Sequence, residues 1–224
     1  MSRPVHVLIV LLLVNVAFTT VHVVDLLLAE PSPIVHSLFD LDAEGTIPSW
    51  YASSLLLLTA WSFGRAALDG GSRVVGRAFL WVLSSCFLYL SLDESVGIHE
   101  RITMSLRPVA ALPRFEGDHG IWILFYVGAG VAFVALTCTI WRRLWRHERS
   151  AMLLFFAGVA MILGGAVGIE ILNYGEFRRF VYPREYGLLV AVEEFLEMSG
   201  ASAMLAGSIR LGRGDRAETF SIAS

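Results

Sequence analysis

The chain contains no lysine; all seventeen of its basic residues are arginine. Without a lysine there is no Schiff base, which excludes retinal and pyridoxal-phosphate chemistry. Cysteine is nearly absent too. Cys86 and Cys138 both fall inside apolar stretches, where they read as small buried hydrophobes, not as a disulfide framework or a thiolate metal site. Charge is sparse, at 17% of 224 residues. Several familiar signatures are missing as well: there is no HExxH, no GxSxG and no pair of Glu-x-x-His motifs, so the standard zincin, serine-hydrolase and di-iron patterns do not apply.

What fills the chain is apolar sequence. Hydrophobic residues make up 56% and the mean hydropathy is +0.66, which argues against a soluble domain. Stretches near 5–28, 50–68, 75–92, 121–141, 151–172 and 187–209 approach the roughly 20 residues that cross a bilayer. The first lacks a clear small-residue cleavage site and is expected to be an uncleaved span. The expectation is an all-α, polytopic, six-helix bundle forming a single domain over residues 1–224.

If the N-terminus is cytoplasmic, eleven arginines face the cytoplasm: Arg3, Arg65, Arg73, Arg77, Arg142, Arg143, Arg146, Arg149, Arg210, Arg213 and Arg216. Six face outward: Arg101, Arg107, Arg114, Arg178, Arg179 and Arg184. The positive-inside rule then places both termini inside, with WRRLWRHER as the strongest anchor. Acids run the other way. Only Asp69, Glu148, Asp215 and Glu218 fall on the inner side.

Carboxylates within spans are costly, roughly 2.5–3.5 kcal/mol each at mid-helix on insertion scales. Glu193, Glu194 and Glu197 project within about 100° of one another on the sixth stretch, followed by the small residues of SGASA, which permit close helix approach. The fifth stretch ends in Glu170, Asn173 and Tyr174, and Gly164 and Gly168 suggest a small-xxx-small contact. The third exits through LDESVGIHER; on a continuous helix Asp93 and Glu100 align, with His99 about 100° away. The first carries Asn15, Thr19 and His22, with Asp25 one turn on.

Oxygen ligands with one or two histidines suit a divalent cation such as Zn, Fe, Mn or Ca. The candidate metal ligands are Asp93, His99, Glu100, Glu170, Glu193, Glu194 and Glu197, with His22, Asp25, Asn173 and Tyr174 as supporting groups. Two other readings stand beside this one. The acids could be structural pairs with Arg101, Arg178, Arg179 or Arg184, as in a non-catalytic membrane subunit. A proton or cation path is the third, weakened because the second and fourth stretches and the inner halves bring no ionisable groups. As an enzyme, the chain would use the metal with a spare glutamate as general base on a lipid-borne substrate.

Asp40, Asp42 and Glu44 match positions 1, 3 and 5 of an EF-hand loop, with Gly45 at position 6; Pro48 and Tyr51 depart at positions 9 and 12. A calcium loop is one reading. An acidic turn ahead of the second stretch, with Ser49 as N-cap, is the other. His6, His36, His119 and His147 sit at interfaces or in loops and carry little signal.

Taken together, FDLDAEGTIPSWYASSLLLL, LYLSLDESVGIHE, GGAVGIEILNYGE and AVEEFLEMSG resemble a family of small bacterial six-span membrane proteins. The resemblance covers most of the chain and implies a multi-pass protein of the bacterial cytoplasmic membrane. A fainter likeness is to the alkaline ceramidase superfamily of membrane zinc hydrolases, through the acidic outer segment and the LDE in a helix; the HxxxH pair of those enzymes is absent here. The expected partners are the lipid bilayer and a membrane protein or second copy, and no nucleic acid.

Overall fold

A computed structural model describes residues 3–29, 31–70, 74–109, 111–114, 120–169, 171–172 and 183–222. Among the described residues there are nine α-helices and no strand. They are α1 (Arg3–Leu27), α2 (Pro33–Phe39), α3 (Ile47–Leu68), α4 (Arg77–Val96), α5 (Ile98–Leu106), α6 (Ile121–Leu136), α7 (Cys138–His147), α8 (Arg149–Ile162) and α9 (Pro183–Ile222); a π-helical segment, Leu163–Ile169, extends α8.

Three helices are long and apolar enough to cross a membrane: Pro4–Leu27, Arg77–Val96 and Arg149–Ile169. The pair α6 and α7, bent by 69° at a short break, makes a fourth if it is one span. Six were expected from the sequence. The two that fall short are α3, diluted by Ser53, Ser54, Thr59, Ser62 and Arg65, and α9, which carries Glu193, Glu194 and Glu197. Both are shielded. Helix α9 packs against α1, α3 and α8, and α3 packs against α4. Residues 198–208 are buried along their whole length, so the helix with the acids is the central one.

In lipid, apolar surface alone does not drive helices together, and close van der Waals fit must do so. The α8–α9 crossing shows how. A Cβ at Gly200 would lie 2.6 Å from the Gly158 carbonyl oxygen and 2.7 Å from Ile162 Cγ1; one at Gly207 would lie 3.0 Å from the Ala151 oxygen. Only a residue without a side chain admits that approach. The expected contact through Gly164 and Gly168 is not made: a Cβ at Gly164 meets nothing within 4 Å. The π turn is the reason, because its wider i→i+5 winding rotates the face and brings Gly165 onto α9 instead.

Asn15, fully buried, joins three helices. With its amide oxygen turned to α9, it accepts from Ser199 and Ser202 Oγ at 3.2 and 3.3 Å. Its NH₂ then donates to the Leu11 oxygen at 2.9 Å and to Tyr51 Oη of α3 at 3.0 Å. Ser53 joins α3 to α4 through the Ser91 carbonyl (2.8 Å) and Ser95 Oγ (2.7 Å). Aromatic packing of Phe63, Phe79, Phe87, Trp141 and Phe155 fills the end of the bundle away from the acids.

Candidate functional site

Helix α4 does not run on through His99, as a continuous-helix reading required. It stops at Gly97, whose φ of 58° lies in the left-handed region, and whose N–H donates to the Asp93 carbonyl at 2.8 Å. Glycine is suited to this position twice over. The conformation disfavours a side chain, and a Cβ would run into the Glu44 carboxylate, with Cδ at 2.9 Å. The turn folds α5 back so that Asp93 and His99 meet, whereas Asp93 and Glu100 do not align.

Asp93 is buried, and its Oδ1 accepts the His99 backbone N–H at 2.8 Å and lies 3.1 Å from His99 Nδ1. A carboxylate accepts, so this network assigns the proton to Nδ1 and leaves Nε2 as the nitrogen with a lone pair. Such a carboxylate–imidazole pair is the usual way a histidine is oriented toward a metal or a reacting proton. The ring is held from the other side by Trp122, edge-on at 5.2 Å, itself edge-on to Tyr126 at 5.3 Å. Tyr126 Oη lies 2.7 Å from Tyr89 Oη and also bonds toward Asp93.

Burial opposes the charged imidazole of His99, but the Asp93 hydrogen bond and the charges of Asp93, Glu100 and Glu94 outweigh it and hold His99 above its ordinary value. Glu44 is exposed overall, yet its carboxyl end rests against Gly97. That local desolvation, with the charge of Glu100, raises it above the usual carboxylate range.

These groups open onto one cavity of about 430 Å³. Its lining includes Asp42, Glu44, Asp93, Glu94, His99, Glu100, Glu193, Glu194 and Glu197, with Arg107 as the only lining guanidinium among the described residues. Apolar side chains complete it, among them Leu56, Leu90, Met104 and Ile162. Gly165 lets the π segment sit against the acid turn of α9, where a Cβ would lie 2.9 Å from the Glu193 carbonyl oxygen and 3.0 Å from Glu197 Cγ. Among the described residues, no three His, Cys, Asp or Glu side chains stand close enough to hold one ion directly.

Six of the seven expected ligands thus line one cavity; Glu170, with Asn173 and Tyr174, lies outside the described residues. His22 and Asp25 are elsewhere. His22 Nδ1 accepts the Leu41 N–H at 3.1 Å, and Asp25 pairs with His36 at 3.1 Å, so they fasten α1 to α2 and the following loop. The acids of that loop diverge. Asp40 faces His22 and His36, Asp42 accepts from Tyr186 Oη at 3.0 Å, and Glu44 leans on Gly97. The N-cap of α3 is Thr46, not Ser49: its hydroxyl accepts the Ser49 N–H at 3.4 Å, because the helix already begins at Ile47 with Pro48 in its first turn.

Sequence reasoning passed over Glu94 and the aromatic wall from α6. Glu94 stood beside Asp93 in the sequence, and Trp122 and Tyr126 are spaced i, i+4; the signal was there, but aromatics near a span end also read as interfacial anchors.

The fold and site define an α-helical protein with three to four helices long and apolar enough to cross a membrane and an acidic cavity at one end of the bundle. Residues 7–211 match the family described as Domain of unknown function (DUF8692), and the chain belongs to that family. No curated protein and no solved structure matches it.

Proposed function

We propose that this is a six-span protein of the bacterial cytoplasmic membrane whose outward-facing cavity binds a divalent cation. The observation that carries the reading is the single cavity where acids from the 40–46 loop, α4, α5 and α9 converge around an oriented histidine. Confined carboxylates facing one small volume repel one another unless a proton or cation is shared among them. His99 Nε2 with Glu44, Glu94 and Glu194 forms a hard-to-borderline donor set of the kind used for Zn, Fe, Mn or Ca. Because the side chains stand too far apart to close on a bare ion, the cation would keep part of its water shell.

Six spans are supported by packing. The mid-helix polar groups of α3 and α9 face neighbouring helices or the cavity: Ser53, Thr59, Ser199 and Ser202 are buried and Glu193, Glu194 and Glu197 line the cavity, so they meet protein and not lipid. The arginines of α7, with Arg65 near the end of α3 and Arg77 at the start of α4, lie at the end opposite the acids, which suits cytoplasmic termini. The apolar part of the cavity lining suits a substrate carried in the bilayer. A bound divalent ion would supply Lewis-acid chemistry there. In that reading Asp93 holds His99 in one tautomer, and a glutamate of the wall is placed to take a proton.

Elemental analysis of the purified protein, followed by calorimetric titration of Zn²⁺, Mn²⁺ or Ca²⁺ into chelator-stripped protein, tests the proposal. Wild type should take up close to one equivalent and Glu94→Gln with Glu194→Gln much less. Uptake that is absent, or identical in the variant, would overturn it.

A further inference from the structure

The arginine-rich end of the bundle presents an exposed, positively charged helix face at the bend between α6 and α7. Helix α6 ends at Thr137, and α7 leaves it at 69°. The bend is held by a hydrogen bond from Trp141 Nε1 to Thr137 Oγ1 at 2.9 Å and by Thr137 Oγ1 donating to the Phe133 oxygen. Trp141 and Leu144 then face inward, with Trp141 against Phe79, Phe155 and Phe156. The helix cannot swing into line with α6 without pulling Trp141 out of this aromatic cluster. If α6 crosses the bilayer, α7 lies close to its surface.

The other face of α7 is wholly different. Arg142, Arg143 and Arg146 are exposed, and none makes an ion pair among the described residues. The nearest carboxylate in sequence, Glu148, falls on the Trp141–Leu144 side and is partly buried. Trp145, 39% exposed, packs on Phe156, with the Arg149 guanidinium 6.0 Å from its ring centroid. Unpaired guanidiniums beside an amphipathic tryptophan, on a helix in the interfacial plane, match the chemistry of phosphate headgroups.

We propose that α7 is an interfacial helix whose Arg142, Arg143 and Arg146 hold the phosphates of anionic phospholipids. This rests on the bundle being membrane-embedded and is independent of the cation cavity. Removing one guanidinium near a charged leaflet weakens attraction about fivefold, so removing three should cost on the order of a hundredfold.

The test is native mass spectrometry of protein in neutral detergent, titrated with phosphatidylglycerol or phosphatidylcholine. Wild type should retain phosphatidylglycerol in preference, less so as salt rises, and R142Q/R143Q/R146Q should lose that preference while R142K/R143K/R146K keeps part of it. Equal retention of the two lipids by wild type would overturn the proposal, whether or not the variants fold. So would undiminished retention by the folded glutamine variant. Displacement of the lipid by inorganic phosphate at equal concentration would assign the surface to free phosphate and likewise overturn it.

Discussion

Gly200→Ala tests whether α8 and α9 are held by contact between their backbones. The added methyl would lie 2.6 Å from the Gly158 oxygen, 2.7 Å from Ile162 Cγ1 and 3.1 Å from the Ile162 nitrogen, against an ordinary contact of 3.4–4 Å. Two of the three obstacles are backbone atoms, which no rotamer change can move, so the helices must part. Overpacking of this kind costs about 1–3 kcal/mol, and a gap of 0.5–1 Å along the seam forfeits roughly a quarter to a half of each dispersion contact. Alanine returns up to about 1 kcal/mol of helix propensity, leaving a net loss of up to about 2 kcal/mol. The control is internal. At Gly128 and Gly130 in α6 an added Cβ would meet nothing within 4 Å, so alanine there should be neutral or stabilising by up to about 1 kcal/mol. Thermal unfolding in one detergent ranks the variants. The reasoning fails if Gly200→Ala melts with, or above, Gly130→Ala.

Other expectations follow from the same contacts. Asp93→Asn should lower divalent-cation affinity about 10–100-fold by releasing the His99 tautomer, measured by calorimetric titration; an unchanged affinity would show that His99 is not a ligand. Asn15→Ala strips the partner from the Ser199 hydroxyl, while Ser202 keeps its bond to the Met198 carbonyl at 2.8 Å, and should cost about 1–3 kcal/mol in thermal or denaturant unfolding. Gly97→Ala places an alanine at φ 58° and displaces Glu44; about 1–2 kcal/mol of strain is expected, together with weakened cation binding, and wild-type behaviour in both would contradict the turn. In metal-free protein, His99 has a higher value folded than unfolded, so its stabilising contribution is complete below the unfolded value and is lost as pH rises through the folded one. Stability followed by unfolding should therefore fall as pH rises across the histidine range, and His99→Gln should flatten that dependence.

Helix content and the acid cluster were legible because both rest on strong local signals. The largely apolar 24-residue stretch of α1 admits few other readings, and carboxylates inside apolar stretches need a shared environment wherever they fall. The breaks were not legible. In SVGIHE a glycine can either end a helix or be tolerated within one; the structure ends α4 there, with Glu44, some fifty residues earlier, filling the space a Cβ would need. The bend after α6 is set by a threonine and a tryptophan four apart, a pair unremarkable in sequence. The π turn after Ile162 moved the close contact from Gly164 to Gly165, a one-residue shift that helical periodicity does not foresee.

The acids determine what the cavity can bind, but glycines determine where the acids stand. His99 reaches Asp93 because Gly97 reverses the chain; Glu193 and Glu197 sit against the π segment because Gly165 has no side chain; α9 lies at that depth because Gly158 and Gly200 let two backbones touch. Replace those glycines in thought by alanine and every carboxylate is still present, yet the walls move apart by a good fraction of an ångström, enough to disturb a cavity whose described acid and histidine side chains already stand too widely to close on one ion directly. The same logic separates the two ends of the molecule. At the acidic end charge is confined and needs a precise frame, whereas the exposed arginines of α7 need no frame beyond the 69° bend that turns their helix out of line with α6.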